Sequence, residues 1–173
     1  LQPIPQVALK ILRLISEKDC DFKQIANIVR QDQVISAKTL QLCNSAFFAG
    51  RPKIDSLEDA LIILGQNQLV NSILQVAVKN YFDQCGMGYA LCKGGIFHHA
   101  VGTAMIAEKI SDIIDTTIPA VAYTAGLLHD IGMVVLDSYV TDSYPMFYRA
   151  IQQDGRSILS IEKEIFGIDH PAI

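Results

Sequence analysis

With 173 residues, half of them hydrophobic and 18% charged, the chain is long enough for a sizeable core and too apolar to be disordered. Its net charge is −4 and its 14 lysines and arginines are scattered, which argues against non-specific nucleic-acid binding, where a basic face is needed. The opening residues carry no charged-then-apolar leader pattern, so a cytoplasmic location is expected.

Read in chain order, the apolar period is helical throughout, and no run alternates convincingly like a strand. The first helix follows Pro3 and Pro5 and places Val7, Ala8, Ile11, Leu12 and Ile15 on one face. "DFKQIANIVRQ" opens with Asp21 as N-cap and Gln24 three residues later, a capping-box pattern. Phe22, Ile25, Ala26 and Val29 form its stripe. "SAKTLQLCNSAFF" predicts a third helix from Ser36 to the aromatic pair Phe47 and Phe48, with Asn44 and Ser45 closing it. After the turn "GRPKID", Ser56 caps "SLEDALIILG" and Gly65 stops it. A fifth helix is predicted over Gln68 to Phe82, carrying Leu69, Val70, Ile73, Leu74 and Ala77. Residues 1–82 are therefore read as a five-helix N-terminal subdomain.

"CGMGYALCKGG", Cys85 to Gly95, holds four glycines and marks 83–95 as an exposed connection. A helical subdomain is predicted over 96–173. It begins with "IFHHAVGTAMIAEKISDII", where Phe97, Val101, Ala104 and Ile110 are spaced for burial. Pro119 starts a helix that runs through "AGLLHDIGMVVLD". The stretch Ile118 to Leu136 approaches the roughly 20 residues of a membrane span. Its interior His129 and Asp130 favour a buried helix in a soluble bundle. Shorter helices follow over Pro145 to Gln153 and Ile158 to Phe166. Asp169 then reads as the cap of a further helix, expected to continue beyond residue 173.

An ionisable pair inside an apolar run needs hydrogen bonds, a counter-charge or a metal, because unpaired burial costs kilocalories. Neighbours on a helix point roughly 100° apart, so a metal at His129 and Asp130 would sit between helices. Two histidines, or a histidine and a carboxylate, from neighbouring helices suit iron, manganese or zinc. The remaining histidines are His98, His99 and His170. Cys85 and Cys92 could join His98 or His99 in a second arrangement. Four cysteines without a C-x-x-C pair fit small buried or loop residues better.

"LLHDIG", preceded by "FHHAVGTAMIA", resembles the HD superfamily of metal-dependent phosphohydrolases. The whole chain is similar to the HDOD domain, a bacterial signalling-output relative, through "LQPIPQVALKILRLI", "NSAFF", "IDSLEDALIILG", "AGLLHDIG" and "FGIDHPAI". The resemblance implies an all-α multi-helix bundle, with the five-helix half packed on an HD-like half. It matches His99, or in another register His98, to the first histidine, His129 and Asp130 to the HD pair, and His170 to a further metal-binding histidine. It implies a divalent metal and a signalling protein or small ligand as partner; the net charge and the ionisable pair inside Ile118 to Leu136 argue separately against nucleic acid and membrane.

Two departures favour a non-catalytic module over a hydrolase. Met133 stands where hydrolytic relatives often carry lysine, and the glycine-tyrosine-proline signature of the cyclic-dinucleotide phosphodiesterases is not seen. From the residues alone, Ile110 to Tyr148 holds no Lys or Arg, whereas phosphoryl chemistry needs positive charge at the developing anion. A metal-dependent phosphohydrolase is the alternative, and an oligomerisation domain a third reading.

Overall fold

The computed structural model describes residues 6–16, 22–83, 88–89, 94–114 and 118–173. The fold is all-α. Five helices make the first half: α1 (Gln6–Ser16), α2 (Phe22–Arg30), α3 (Gln33–Cys43), α4 (Leu57–Leu64) and α5 (Gln66–Phe82). The second half contains α6 (Gly95–Ile114), α7 (Pro119–Leu128), α8 (Ile131–Asp142), α9 (Tyr144–Gln152) and α10 (Ile158–Phe166), then a 3-10 turn at His170–Ala172.

Local chemistry sets several of these boundaries. α3 begins three residues before the expected Ser36, because the Asp32 carboxylate accepts the free Val34 and Ile35 N–H groups, both at 3.0 Å. It ends at Cys43, short of the expected Phe48, and a separate 3-10 turn covers Ala46–Phe48. Asn44 makes that stop. Its amide donates to the Leu40 and Ile54 carbonyls while its oxygen accepts from the Ile54 N–H, tying the following loop to the helix end. Ser56 caps α4 through the Asp59 N–H. Gly65 sits at φ +82°, where a side chain would be strained, and ends α4 while opening α5.

α5 is buried almost all round, from Leu69 and Val70 to Tyr81 and Phe82, as a central core helix must be. The main core gathers residues from α1 (Ile11) through α8 (Val134) around it, and a smaller cluster of Val140, Phe147, Ala150 and Ile161 lies under α8 to α10. Cys43 is a buried free thiol whose pKa burial pushes up, while Cys20, Cys85 and Cys92 lie outside the described residues. Two polar ties fix α6 and α7 to α5: Asn71 donates to Glu108 at 2.9 Å and Gln75 to the Tyr123 hydroxyl at 2.7 Å.

α6 and α7 pack closely because of Gly126. A Cβ there would fall 2.7 Å from the Ala104 Cα and 2.8 Å from its nitrogen, both backbone atoms that cannot swing aside. Gly126→Ala should therefore force the helices apart and cost about 1–3 kcal/mol. Urea unfolding would show this, and an unchanged midpoint would disprove the close approach.

Three expectations need correction. The spacing puts Ile110 on the buried face of α6, but it is half exposed, because the C-terminal half of the helix turns Ile106, Ile113 and Ile114 outward as well. The connection at 83–95 reads in the sequence as exposed. Most of it lies outside the described residues; of the rest, Asp83 is exposed, Gly88 buried and Tyr89, Gly94 and Gly95 half-buried. The run after Pro119 is not one helix: it breaks at His129 and Asp130. Pro119–Asp142 is long and apolar enough to cross a membrane by length and composition. It packs into the bundle through Tyr123, Leu127, Val134 and Leu136.

Candidate metal centre

The break places the site. In an uninterrupted helix the Gly126 carbonyl would accept from the N–H four residues on, that of Asp130. Here the His129 ring takes that carbonyl, Nδ1 to Gly126 O at 2.8 Å. Asp130 turns to φ −106°, ψ 18°, outside helical geometry, and α8 restarts at Ile131. The pair thus sits at a corner, where two neighbouring side chains can face one point that a continuous helix would deny them.

Three imidazoles meet Asp130 there. His129 Nε2 lies 3.0 Å from Asp130 Oδ2, and His99 Nε2, reaching over from α6, lies 3.4 Å from the same oxygen. His170 Nε2, from the C-terminal 3-10 turn, lies 3.5 Å from the other oxygen, Oδ1. His99, His129 and Asp130 each offer a ligand atom within 4.8 Å of the others. The His99 side chain is 61% exposed whereas Asp130 is 14% and His170 11%, so the centre opens to solvent on the α6 side. His98 is exposed and pairs its ring with Phe97, outside the cluster.

His170 arrives because α8 makes room. A Cβ on Gly132 would stand 2.1 Å from the His170 carbonyl oxygen and 2.9 Å from its carbonyl carbon. The glycine of "HDIG" is therefore a contact surface. Asp169 does not cap the turn with its side chain as expected. It is buried and accepts from Lys163 Nζ at 2.8 Å, which holds its carboxyl below the ordinary carboxylate range.

Sequence reasoning missed Glu162. It lies on α10, fully buried, and its carboxylate accepts from the His170 backbone N–H at 2.8 Å and from His170 Nδ1 at 2.8 and 2.9 Å. The signal was a carboxylate set within the stripe Ile158, Ile161, Ile165. Such a carboxylate behind a histidine fixes its tautomer and raises the basicity of the other nitrogen.

The tautomers follow from the partners. A carbonyl and a carboxylate accept and do not donate, so Nδ1 of His129 and Nδ1 of His170 each carry the hydrogen. In the neutral rings both Nε2 atoms then turn lone pairs toward the Asp130 oxygens. Lone pairs facing a carboxylate at 3.0 to 3.5 Å need a cation or a proton between them. The donor set, imidazole nitrogen and carboxylate oxygen, is that of a first-row divalent metal. Met133 stands half-buried against the main core, and among the described residues the ion-pair partners of Asp130 are all imidazoles.

Comparisons with known proteins agree with this architecture. The HDOD domain profile matches residues 1–173. The structure of an HDOD domain protein of unknown function from Geobacter sulfurreducens superposes with a TM-score of 0.82 at 28% identity, covering 98% of this chain and 56% of that one. A candidate phosphohydrolase from Shewanella amazonensis SB2B shares the fold at a TM-score of 0.74, with 24% identity, 98% of this chain and 59% of that one. An uncharacterised protein of Treponema pallidum (strain Nichols) is 25% identical over 143 residues, 82% of this chain and 26% of that protein. The chain thus spans a little over half the length of these solved structures and about a quarter of the curated relative. Matched along its whole length, the chain belongs to the HDOD domain family.

Proposed function

We propose that this HDOD domain is a metal-binding regulatory module of bacterial signal transduction, working in the cytoplasm on a partner protein or small ligand. The observation that carries the metal is the convergence of His99, His129 and His170 on Asp130, with two ring tautomers preset so that Nε2 lone pairs face inward. Iron, manganese or zinc suits these donors. When bound, the metal would supply Lewis-acid charge to a ligand entering from the exposed His99 side. The protein's own part is to hold the imidazoles, keep their tautomers and shield Asp130 from water.

Regulation is favoured over hydrolysis by charge. Hydrolysis of a phosphodiester is helped by cations beyond the metal, and among the described residues the ion-pair partners of Asp130 are imidazoles, with Met133 half-buried against the core. Losing one preorganised group of this kind costs about 2.7–4 kcal/mol, or roughly 10²–10³-fold in rate. The purified protein should therefore contain a divalent metal near one equivalent and, supplied with manganese or iron, hydrolyse cyclic dinucleotides negligibly. His129→Ala should lower metal content and thermal stability together. Robust metal-dependent turnover, lost in a folded His129→Ala variant, would establish the phosphohydrolase reading instead. Absence of metal, with histidines titrating freely beside Asp130, would overturn the metal itself.

A further inference from the structure

We infer that Tyr89 is a positioning residue for the metal centre, tied to His170 through Glu162; this rests on the metal-binding reading above. The Tyr89 hydroxyl donates to Glu162 Oε1 at 2.6 Å, on the carboxylate that receives the His170 ring. Burial and the Glu162 and Asp137 carboxylates push the Tyr89 phenol well above its ordinary range, so it keeps its hydrogen and remains a donor. A continuous chain then runs from Asp130 through His170 and Glu162 to Tyr89.

Tyr89 is itself held on three sides. Its backbone N–H donates to Asp137 Oδ1 at 3.2 Å, and its ring stands edge-on to Phe147 at 5.9 Å between centroids. Gly88 before it lies so close to α8 that a Cβ would fall 2.4 Å from the Asp137 carbonyl oxygen. These contacts cross from the connection to α8, α9 and α10. They bring a phenol to a carboxylate that would otherwise serve the histidine alone. An outer partner of a metal ligand typically affects affinity by roughly 10–100-fold. One bond further out, Tyr89 belongs at the lower end. Coupling of this kind is reciprocal, so metal loading must also tighten the docking of Tyr89.

The test uses the full chain and Tyr89→Phe, which removes one oxygen and leaves the ring packing. Cobalt(II) titration, read by its visible absorption, should show affinity about tenfold weaker than in the unaltered protein, with the helical circular dichroism unchanged. A metal-free cycle of Tyr89→Phe, His170→Ala and both together, followed in urea, should be non-additive: the double substitution shifts the unfolding equilibrium by less than the product of the two separate shifts. Cobalt affinity equal to that of the unaltered protein, or an additive cycle, overturns the inference. An unaltered protein that takes no cobalt but gives a non-additive cycle removes the metal reading and leaves the Tyr89–His170 link standing.

Discussion

Glu162→Ala is expected to destabilise the domain by about 3–5 kcal/mol, the range for stripping one partner from a buried hydrogen-bonded charge network. The carboxylate is fully buried and gathers three donors, the Tyr89 hydroxyl, the His170 N–H and His170 Nδ1–H. Without it these donors are left in a site closed to water, each at a cost of about 1–3 kcal/mol unless the turn opens to solvate them. Opening the turn withdraws His170 from Asp130, so metal affinity falls along with stability. Glu162→Gln separates the two effects. The amide keeps the volume but offers one acceptor oxygen to three donors, and its NH2 must face one of them. The backbone N–H cannot change, but two groups can: the Tyr89 hydroxyl, by turning its hydrogen away and accepting from the NH2, or the imidazole, by moving its hydrogen to Nε2, the atom that faces Asp130. Glu162→Gln should lose less stability than Glu162→Ala, and its metal affinity should fall, by up to roughly 10–100-fold, to the extent that the imidazole yields. Urea unfolding, cobalt titration and the imidazole nitrogen shifts of His170 check the three statements. Full metal affinity in Glu162→Gln combined with Tyr89→Phe, where no hydroxyl can accept from the amide, would show that the carboxylate does not set the tautomer.

The residues of the centre were legible in the sequence, but their geometry was not. His129 and Asp130 stood out because two ionisable neighbours inside an apolar run need a reason. His99 and His170 followed only through the motif order that resembles HDOD domains. The corner between α7 and α8 left no such mark. Ile118 to Leu136 keeps a helical apolar period across the break, and the break comes from one imidazole capturing the Gly126 carbonyl. Glu162 was hidden in the opposite way: one carboxylate on a stripe of isoleucines is usually a solvated edge, and burial shows only once α10 is placed.

Glycine is ambiguous to composition. The four glycines of the 83–95 connection suggest an exposed hinge, yet at Gly88 the α8 backbone occupies the space of a Cβ. Gly126 and Gly132 fall within helical patterns, where glycine ordinarily costs helix stability relative to alanine. Both are tolerated for the same reason: another backbone occupies the space of a Cβ. A sequence shows that a side chain is missing but not whether freedom or contact requires its absence. By contrast, the core stripes of α2 and α5 were read directly, because burial of Phe22, Ile25 and Val29, or of Leu69, Ile73 and Leu74, needs only the 3.6-residue period.

Gly132→Ala puts that distinction to its sharpest test, since two effects of opposite sign compete at one residue. Gly132 is the second residue of α8, so alanine should help there by less than the roughly 0.5–1 kcal/mol it gains over glycine in a helix interior. Against it stands the His170 carbonyl oxygen, 2.1 Å from the new Cβ, with the carbonyl carbon at 2.9 Å and the Cα at 3.0 Å. All three are backbone atoms, so no rotamer change relieves the clash, and overpacking of this kind costs about 1–3 kcal/mol. The cheapest escape is for the C-terminal turn to lift off α8, which carries His170 Nε2 away from Asp130 Oδ1, already 3.5 Å apart. Stability should therefore change by less than the clash alone suggests, because the helix gain offsets part of it. Metal affinity has no such compensation and should fall to that of His170→Ala, with the double substitution no weaker than either. Titration of the three variants with cobalt(II), beside their urea midpoints, reads both quantities. Retained affinity in Gly132→Ala would mean that His170 contributes nothing to the centre, leaving His99, His129 and Asp130 to hold the ion alone.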